Sequence, residues 1–278
     1  MKLGLSIPNF GTPRSLISLA QAAEASGWDG FFIWDHVVYR KRADKEMVDP
    51  WVVLGAIAAS TERIKLGTMI TPLSRRRPWK LARETVTLDH LSRGRFILGV
   101  GLGNPPDADF KDFGEASDDR TRAAMLDEGL DVIARLWSGA PVTHQGEHYQ
   151  LEDTRMLPPA LQTPRIPVWV AGVWPNRAPF RRAARWDGVV PTKKSGETFE
   201  RMTPEDVAAM KTYIDDHRPT NSPYDIVISG WTGDDLPGAP GTIEPFASVG
   251  ATWWLEATPG SPGWEHEVRA RIGAGPPV

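Results

Sequence analysis

The chain has 278 residues, a formal net charge of −3, 41% hydrophobic and 24% charged residues and no cysteine, the proportions of an ordinary globular domain. Such a balance excludes a broadly basic nucleic-acid binder and gives no electrostatic pull to a membrane; without thiols there is no disulfide framework, cysteine zinc site, iron–sulfur cluster or thiol nucleophile. No apolar run approaches the roughly 20 residues of a membrane span, and the apolar part of MKLGLSIPNF is too short for a signal peptide, so a cytoplasmic location is expected.

Short apolar runs alternate with amphipathic stretches. LGLSI (3–7) reads as a strand stopped by Pro8, and 13–26 as a helix with Leu16, Leu19, Ala20 and Ala23 on one face and Gly27 ending it. GFFIW (30–34) is continuously apolar, the mark of a strand buried on both faces. Asp49 caps a helix with Pro50 in its first turn, running to about Thr61. KLGTMI (65–70) reads as the third strand, Pro78 opens a helix to about Ser92, RFILGVG (95–101) is the fourth strand, and 119–137 is the longest helical pattern. Residues 140–166 break the alternation with four prolines and a hairpin turning at Gln145-Gly146, an excursion between units four and five. VWVAG (168–172), DGVVP (187–191), DIVISG (225–230) and TWWLEA (252–257) read as strands five to eight. Helical stretches follow them near 176–185, 203–217, 241–249 and 262–272, with a Gly/Pro loop over 231–245.

Eight strand–helix units in one chain of this length predict an α/β fold, a single-domain (β/α)8 TIM barrel over 1–278. A doubly wound sheet is the alternative, but neither Pro8-Asn9-Phe10-Gly11 nor GVGLGN (99–104) is a dinucleotide fingerprint.

In a barrel, functional residues sit at the C-terminal strand ends. Asp35-His36 is the foremost pair: a buried strand ends in an acid and an imidazole that could move a proton near neutral pH. The glycines of GVGLGN (99–104) and Gly172-Val173 let backbone N–H groups approach a flat or anionic ligand, or simply turn the chain. The Arg75-Arg76-Arg77 run and Lys193-Lys194 are solvated charges or anion contacts, and Trp174 and Trp231 are core or pocket walls. His144 and His148 flank Gly146 and do not have the placement of a metal pair, and His90 reads as structural. No metal site is expected.

The order GWDGFFIWDH (27–36), DPWVVLGAIAASTERIKLGTMITPLSRRRP (49–78), LDHLSRGRFILGVGLG (88–103), GEHYQL (146–151) and PRIPVWVAG (164–172) resembles the bacterial luciferase-like superfamily, over about residues 1–191. The resemblance implies a flavin- or F420-dependent oxidoreductase with the cofactor ring at the barrel mouth. It implies cofactor contact for Asp35 and proton chemistry for His36. A bulge at Thr68-Met69-Ile70, often with a non-proline cis peptide, would lie behind the ring. Gly101, Leu102 and Gly103 would meet the cofactor, with Asn104 standing where some relatives carry a glutamate. Gly172 and Val173 would reach its phosphate tail, and a homodimer is implied. The expected activity is F420-dependent hydride transfer to or from a small organic substrate. An FMN monooxygenase and a non-catalytic flavin-binding barrel are the alternatives, and Arg75, Lys193, Lys194, Trp174 and Trp231 are the candidates for substrate or anion contact.

Overall fold

The computed structural model describes residues 1–39, 45–196, 198–219, 222–232, 239–257 and 260–277, with the backbone alone at 239–241. Part of the loop read at 231–245 therefore lies outside the described residues. Eight strands run β1 Lys2–Ile7, β2 Gly30–Ile33, β3 Lys65–Thr68, β4 Phe96–Gly101, β5 Val168–Trp174, β6 Gly188–Ser195, β7 Asp225–Gly230 and β8 Trp253–Ala257. Each pairs in parallel with its successor and β8 pairs back onto β1, closing an eight-stranded barrel. The helices α1 Pro13–Ala25, α2 Pro50–Ser60, α3 Pro78–Leu91, α4 Asp119–Trp137, α5 Arg177–Ala183, α6 Pro204–Asp215, α7 Ala239–Ser248 and α8 Trp264–Gly273 follow the strands in order. This is the (β/α)8 TIM barrel.

The helix starts are set by side-chain oxygens that satisfy free N–H groups. Thr12 accepts from Ser15 N, Asp49 from Val52 N and Asp118 from Thr121 N, and Thr203 with Asp206 forms a reciprocal capping box. Pro sits in the first turn of α1, α2, α3 and α6, where its missing N–H costs nothing. The 140–166 excursion folds back as an antiparallel hairpin of Val142–Gln145 and Gln150–Thr154.

Alternation along the strands sorts the core into two layers. Leu5, Ile7, Phe31, Ile33, Leu98, Val100, Val168, Val170 and Ile228 face the helices. Phe32, Ile97, Trp169, Val190, Val227, Trp253 and Leu255 fill the barrel interior, none more than 5% exposed. Phe32, Trp169 and Trp253 meet with ring centroids 5.0–5.8 Å apart, a plug of three large side chains. Room for it comes from glycines: a Cβ on Gly30 would lie 2.6 Å from the Phe32 ring, and one on Gly188 2.5 Å from Trp169.

Candidate active site at the barrel mouth

Above the plug the inward-facing positions open to solvent. Trp34, Met69, Ile70, Ala171, Val173, Thr192, Ser229, Trp231 and Ala257 continue the interior faces of their strands, and all are partly or fully exposed. The mouth is therefore a cup with a closed apolar floor. Two glycines flatten one side. A Cβ on Gly99 would fall 2.1 Å from the Thr68 carbonyl oxygen, and one on Gly101 would fall 2.2 Å from Ile70 Cδ1 and 3.1 Å from Ala171 Cβ. The Met69–Ile70 peptide is cis. Thr68 is fully buried, donating its hydroxyl to the Gly99 carbonyl at 3.1 Å.

His36 follows Phe32 and Trp34 on the inward face of β2. Its ring stands edge-on to Trp34 (6.1 Å) and Tyr39 (5.3 Å). Its Nδ1 lies 2.7 Å from Oδ2 of Asp109, which ends a short turn of helix, Pro106–Asp109, after β4. Asp109 has no exposed surface, and its Oδ1 accepts the Val37 and Val38 N–H groups at 3.0 and 2.9 Å. Burial pushes the Asp109 pKa up. The hydrogen bond from His36, the Val38 N–H and the Arg75 charge outweigh that, and the net shift is downward. An ionised carboxylate accepts only, so Nδ1 carries the proton of this hydrogen bond and Nε2 is the ring nitrogen left over. Among the described residues no side chain bonds Nε2.

Asp35 faces the other way. It is 3% exposed, and its carboxylate accepts from Trp51 Nε1 (2.9 Å), Thr71 Oγ1 (2.8 Å), Arg75 (3.0 Å) and Arg76 (3.0 Å). Asn9, fully buried, donates to the His36 and Val48 carbonyls and straps the end of β2 to the next segment. Arg122 of α4 donates to the Leu102 and Gly103 carbonyls at 2.8 and 3.1 Å and fixes the loop after β4. A Cβ on Gly103, which has φ +83°, would meet Phe110 at 2.8 Å. Asn104 is exposed on that loop.

The remaining sequence candidates divide. Val173 and Trp231 face the cup. Gly172 faces α5, where a Cβ would lie 2.6 Å from Pro179. Trp174, 5% exposed, packs edge-on against Phe180 in the helix layer. Lys193 points outward to Asp206 at 2.8 Å, while the Lys194 ammonium rests 4.4 Å from the centre of the Phe199 ring. Arg75 spends its guanidinium on Asp35 and Asp109. Asp109 and Arg122 are the contributors that the sequence reading missed. The NPPDADF stretch has no periodicity to flag its second aspartate, and Arg122 looks like any helical arginine. Among the described residues no cluster of three or more His, Asp or Glu could hold a metal.

The family model for luciferase-like monooxygenases matches residues 1–229. The F420-dependent glucose-6-phosphate dehydrogenase of Amycolatopsis mediterranei is 32% identical over 209 residues, 74% of this chain and 60% of that protein. The chain spans 43–60% of the length of four such dehydrogenases. The F420-dependent tetrahydromethanopterin reductase of Methanopyrus kandleri superimposes with a TM-score of 0.75 at 19% identity, covering 98% of this chain and 97% of the other. The FMN-bound oxygenating constituent of 3,6-diketocamphane monooxygenase from Pseudomonas putida gives 0.65 at 18% identity, covering 83% and 67%. These two likenesses are of fold, and the family match supplies the kinship: the chain belongs to the luciferase-like monooxygenase family.

Proposed function

We propose that this protein is an oxidoreductase that binds coenzyme F420 in the cup and transfers hydride to or from a small organic substrate, with His36 moving the coupled proton. The observation that carries the reading is the barrel mouth: partly exposed, largely apolar inward-facing positions over a closed floor, with one imidazole held at the edge by a buried, ionised carboxylate. A flat tricyclic ring fits that chemistry. The glycine-flattened side at Gly99 and Gly101, with Met69, Ile70 and Ala171, offers it a face. The backbone of Gly101, Leu102, Gly103 and Asn104 and of Gly172-Val173 would take its polar edge and tail. Asp35 would contribute through the backbone it anchors.

When bound, the deazaflavin accepts or donates the hydride. His36 does the rest: Nε2 takes the hydroxyl proton as the substrate's carbon–hydrogen bond breaks, and returns it to the carbonyl oxygen in the reverse direction. Asp109 stabilises the imidazolium formed, as an acid behind a catalytic histidine does. The dehydrogenase relatives favour F420. The shared fold of the FMN-bound monooxygenase makes FMN the second reading. The homodimer implied by the resemblance and the cytoplasmic location expected from the sequence belong to this proposal; no described helix is long and apolar enough to cross a membrane.

Titration of the purified protein with F420 and with FMN tests the assignment. Saturable F420 binding without FMN binding is expected. FMN binding alone replaces the deazaflavin with a flavin, and binding of neither ends the redox reading.

A further inference from the structure

Behind His36 lie two buried carboxylates and two guanidinium groups whose charges sum to zero. Asp35 holds Arg75 and Arg76, each at 3.0 Å. Asp109 Oδ2 accepts from His36 Nδ1 at 2.7 Å and lies 3.1 Å from Arg75 Nη1, an ion pair without hydrogen-bond alignment. Arg75 thus bridges the two acids, with its side chain 8% exposed. Its Nη2 also donates to the Asp35 carbonyl oxygen at 3.0 Å. Asp35 and His36 are neighbours in the chain, so the contacts run Asp35, Arg75, Asp109, His36 and back through one peptide bond. This loop ties the end of β2 to the turn after β3 and to the segment after β4.

We propose that Arg75 is the positioning residue of the site: anchored on Asp35, it holds the Asp109 carboxylate in place behind His36, so that Nδ1 keeps its partner and Nε2 is left for the proton transfer. The physical reason is convergence on one oxygen: Asp109 Oδ2 is met by the Arg75 guanidinium and the His36 imidazole together, so the carboxylate cannot swing away from Nδ1 without also leaving Arg75. The groups facing His36 are Asp109 and Arg75 from the neighbouring loops and Tyr39 and Trp34 from its own strand end, with Asp35 and Arg76 behind. Lysine carries the charge but lacks the fork that reaches two acids at once.

The inference rests on His36 as the proton-handling group, and its test has an arm free of that assumption. In the protein without cofactor, labelled on its histidine nitrogens, the Nδ1–H of His36 should give a downfield, slowly exchanging proton signal. Arg75→Met should abolish it, and removal of the exposed neighbouring charge in Arg77→Met should not. With F420 and a turned-over substrate, Arg75→Met should lower kcat about ten- to a hundredfold while the F420 dissociation constant stays within about threefold. Arg75→Lys should recover part of kcat. Should Arg75→Met fail to fold, Arg75→Lys with a normal melting temperature carries the test, through reduced kcat and a broadened signal. An intact signal with unchanged kcat in the foldable variant overturns the proposal. So does an F420 affinity that falls in step with kcat, which would make Arg75 a cofactor contact. If wild-type protein binds no F420, the functional reading falls and the resonance arm still decides the role of Arg75.

Discussion

Two buried arginines, one at each end of the barrel, show how differently the two ends are built. Arg95 enters β4 at its N-terminal end, 8% exposed. It donates to the carbonyls of Ser92, Ile64, Ala58 and Thr61 and to the Thr61 hydroxyl, all within 3.0 Å. Ala58 and Thr61 close α2, where carbonyls are left without helical partners and the dipole favours a cation. Every acceptor on Arg95 is neutral, and burial pushes its pKa below the ordinary value. Arg75 sits at the C-terminal rim, equally buried, and its charge is met by two carboxylates. The first arginine solves a chain-ending problem. The second belongs to a cluster of buried charges that ties three loops together beside His36. In this fold the base of the barrel commonly serves stability and the rim function.

That contrast can be broken from either side. At the rim, Asp109→Asn should cost the most in rate, about 10² to 10³ in turnover of the folded protein, beyond the lowered melting temperature that loss of its buried ion pairs brings; a steady-state assay beside a thermal melt checks it. At the base, Arg95→Met strands five acceptors and should lose about 3–5 kcal/mol in denaturant unfolding, while the folded fraction turns over normally. Between plug and cup, Gly101→Ala drives a methyl into Ile70 Cδ1 and Ala171. It should cost about 1–3 kcal/mol and weaken cofactor binding, since Ile70 and Ala171 line the side of the mouth offered to the ring.

The acid response sharpens the comparison further. Asp109 has its native pKa below the unfolded value, so its stabilising contribution is complete above the ordinary carboxylate range and fades as pH falls through the native value. Stability measured by urea unfolding should therefore fall less steeply below pH ~4 in Asp109→Asn than in wild type. The smallest effect belongs to the surface: Arg93→Ala removes an exposed pair with Glu62 and should change neither stability nor rate measurably.

The barrel was legible in the sequence because each unit carries its own local signal. Asp49 with Pro50 and Thr203 with Pro204 mark helix starts. GFFI and VWV mark strands buried on both faces. Strand ends were harder to read. β5 runs to Trp174 rather than Gly172, and β6 to Ser195 rather than Pro191, and these extensions decide which way a side chain points. That is why Trp174 and Lys193, plausible site residues by position, face the helices. His36 was legible because an imidazole after an apolar strand is conspicuous. Its partner was not: Asp109 lies 73 residues away in a loop without period, and only closure of the barrel brings them to 2.7 Å. Asp35 was legible as a site residue but not in its contacts, since nothing local shows that four donors converge on it.

The central claim is that His36 moves a proton for a cofactor lying in the cup. The direct measurement is kcat and the F420 dissociation constant for His36→Ala and wild type, determined on the same preparations. The account predicts a fall in kcat of at least about a hundredfold with cofactor affinity held within about threefold. Turnover at the wild-type rate in the variant would contradict it.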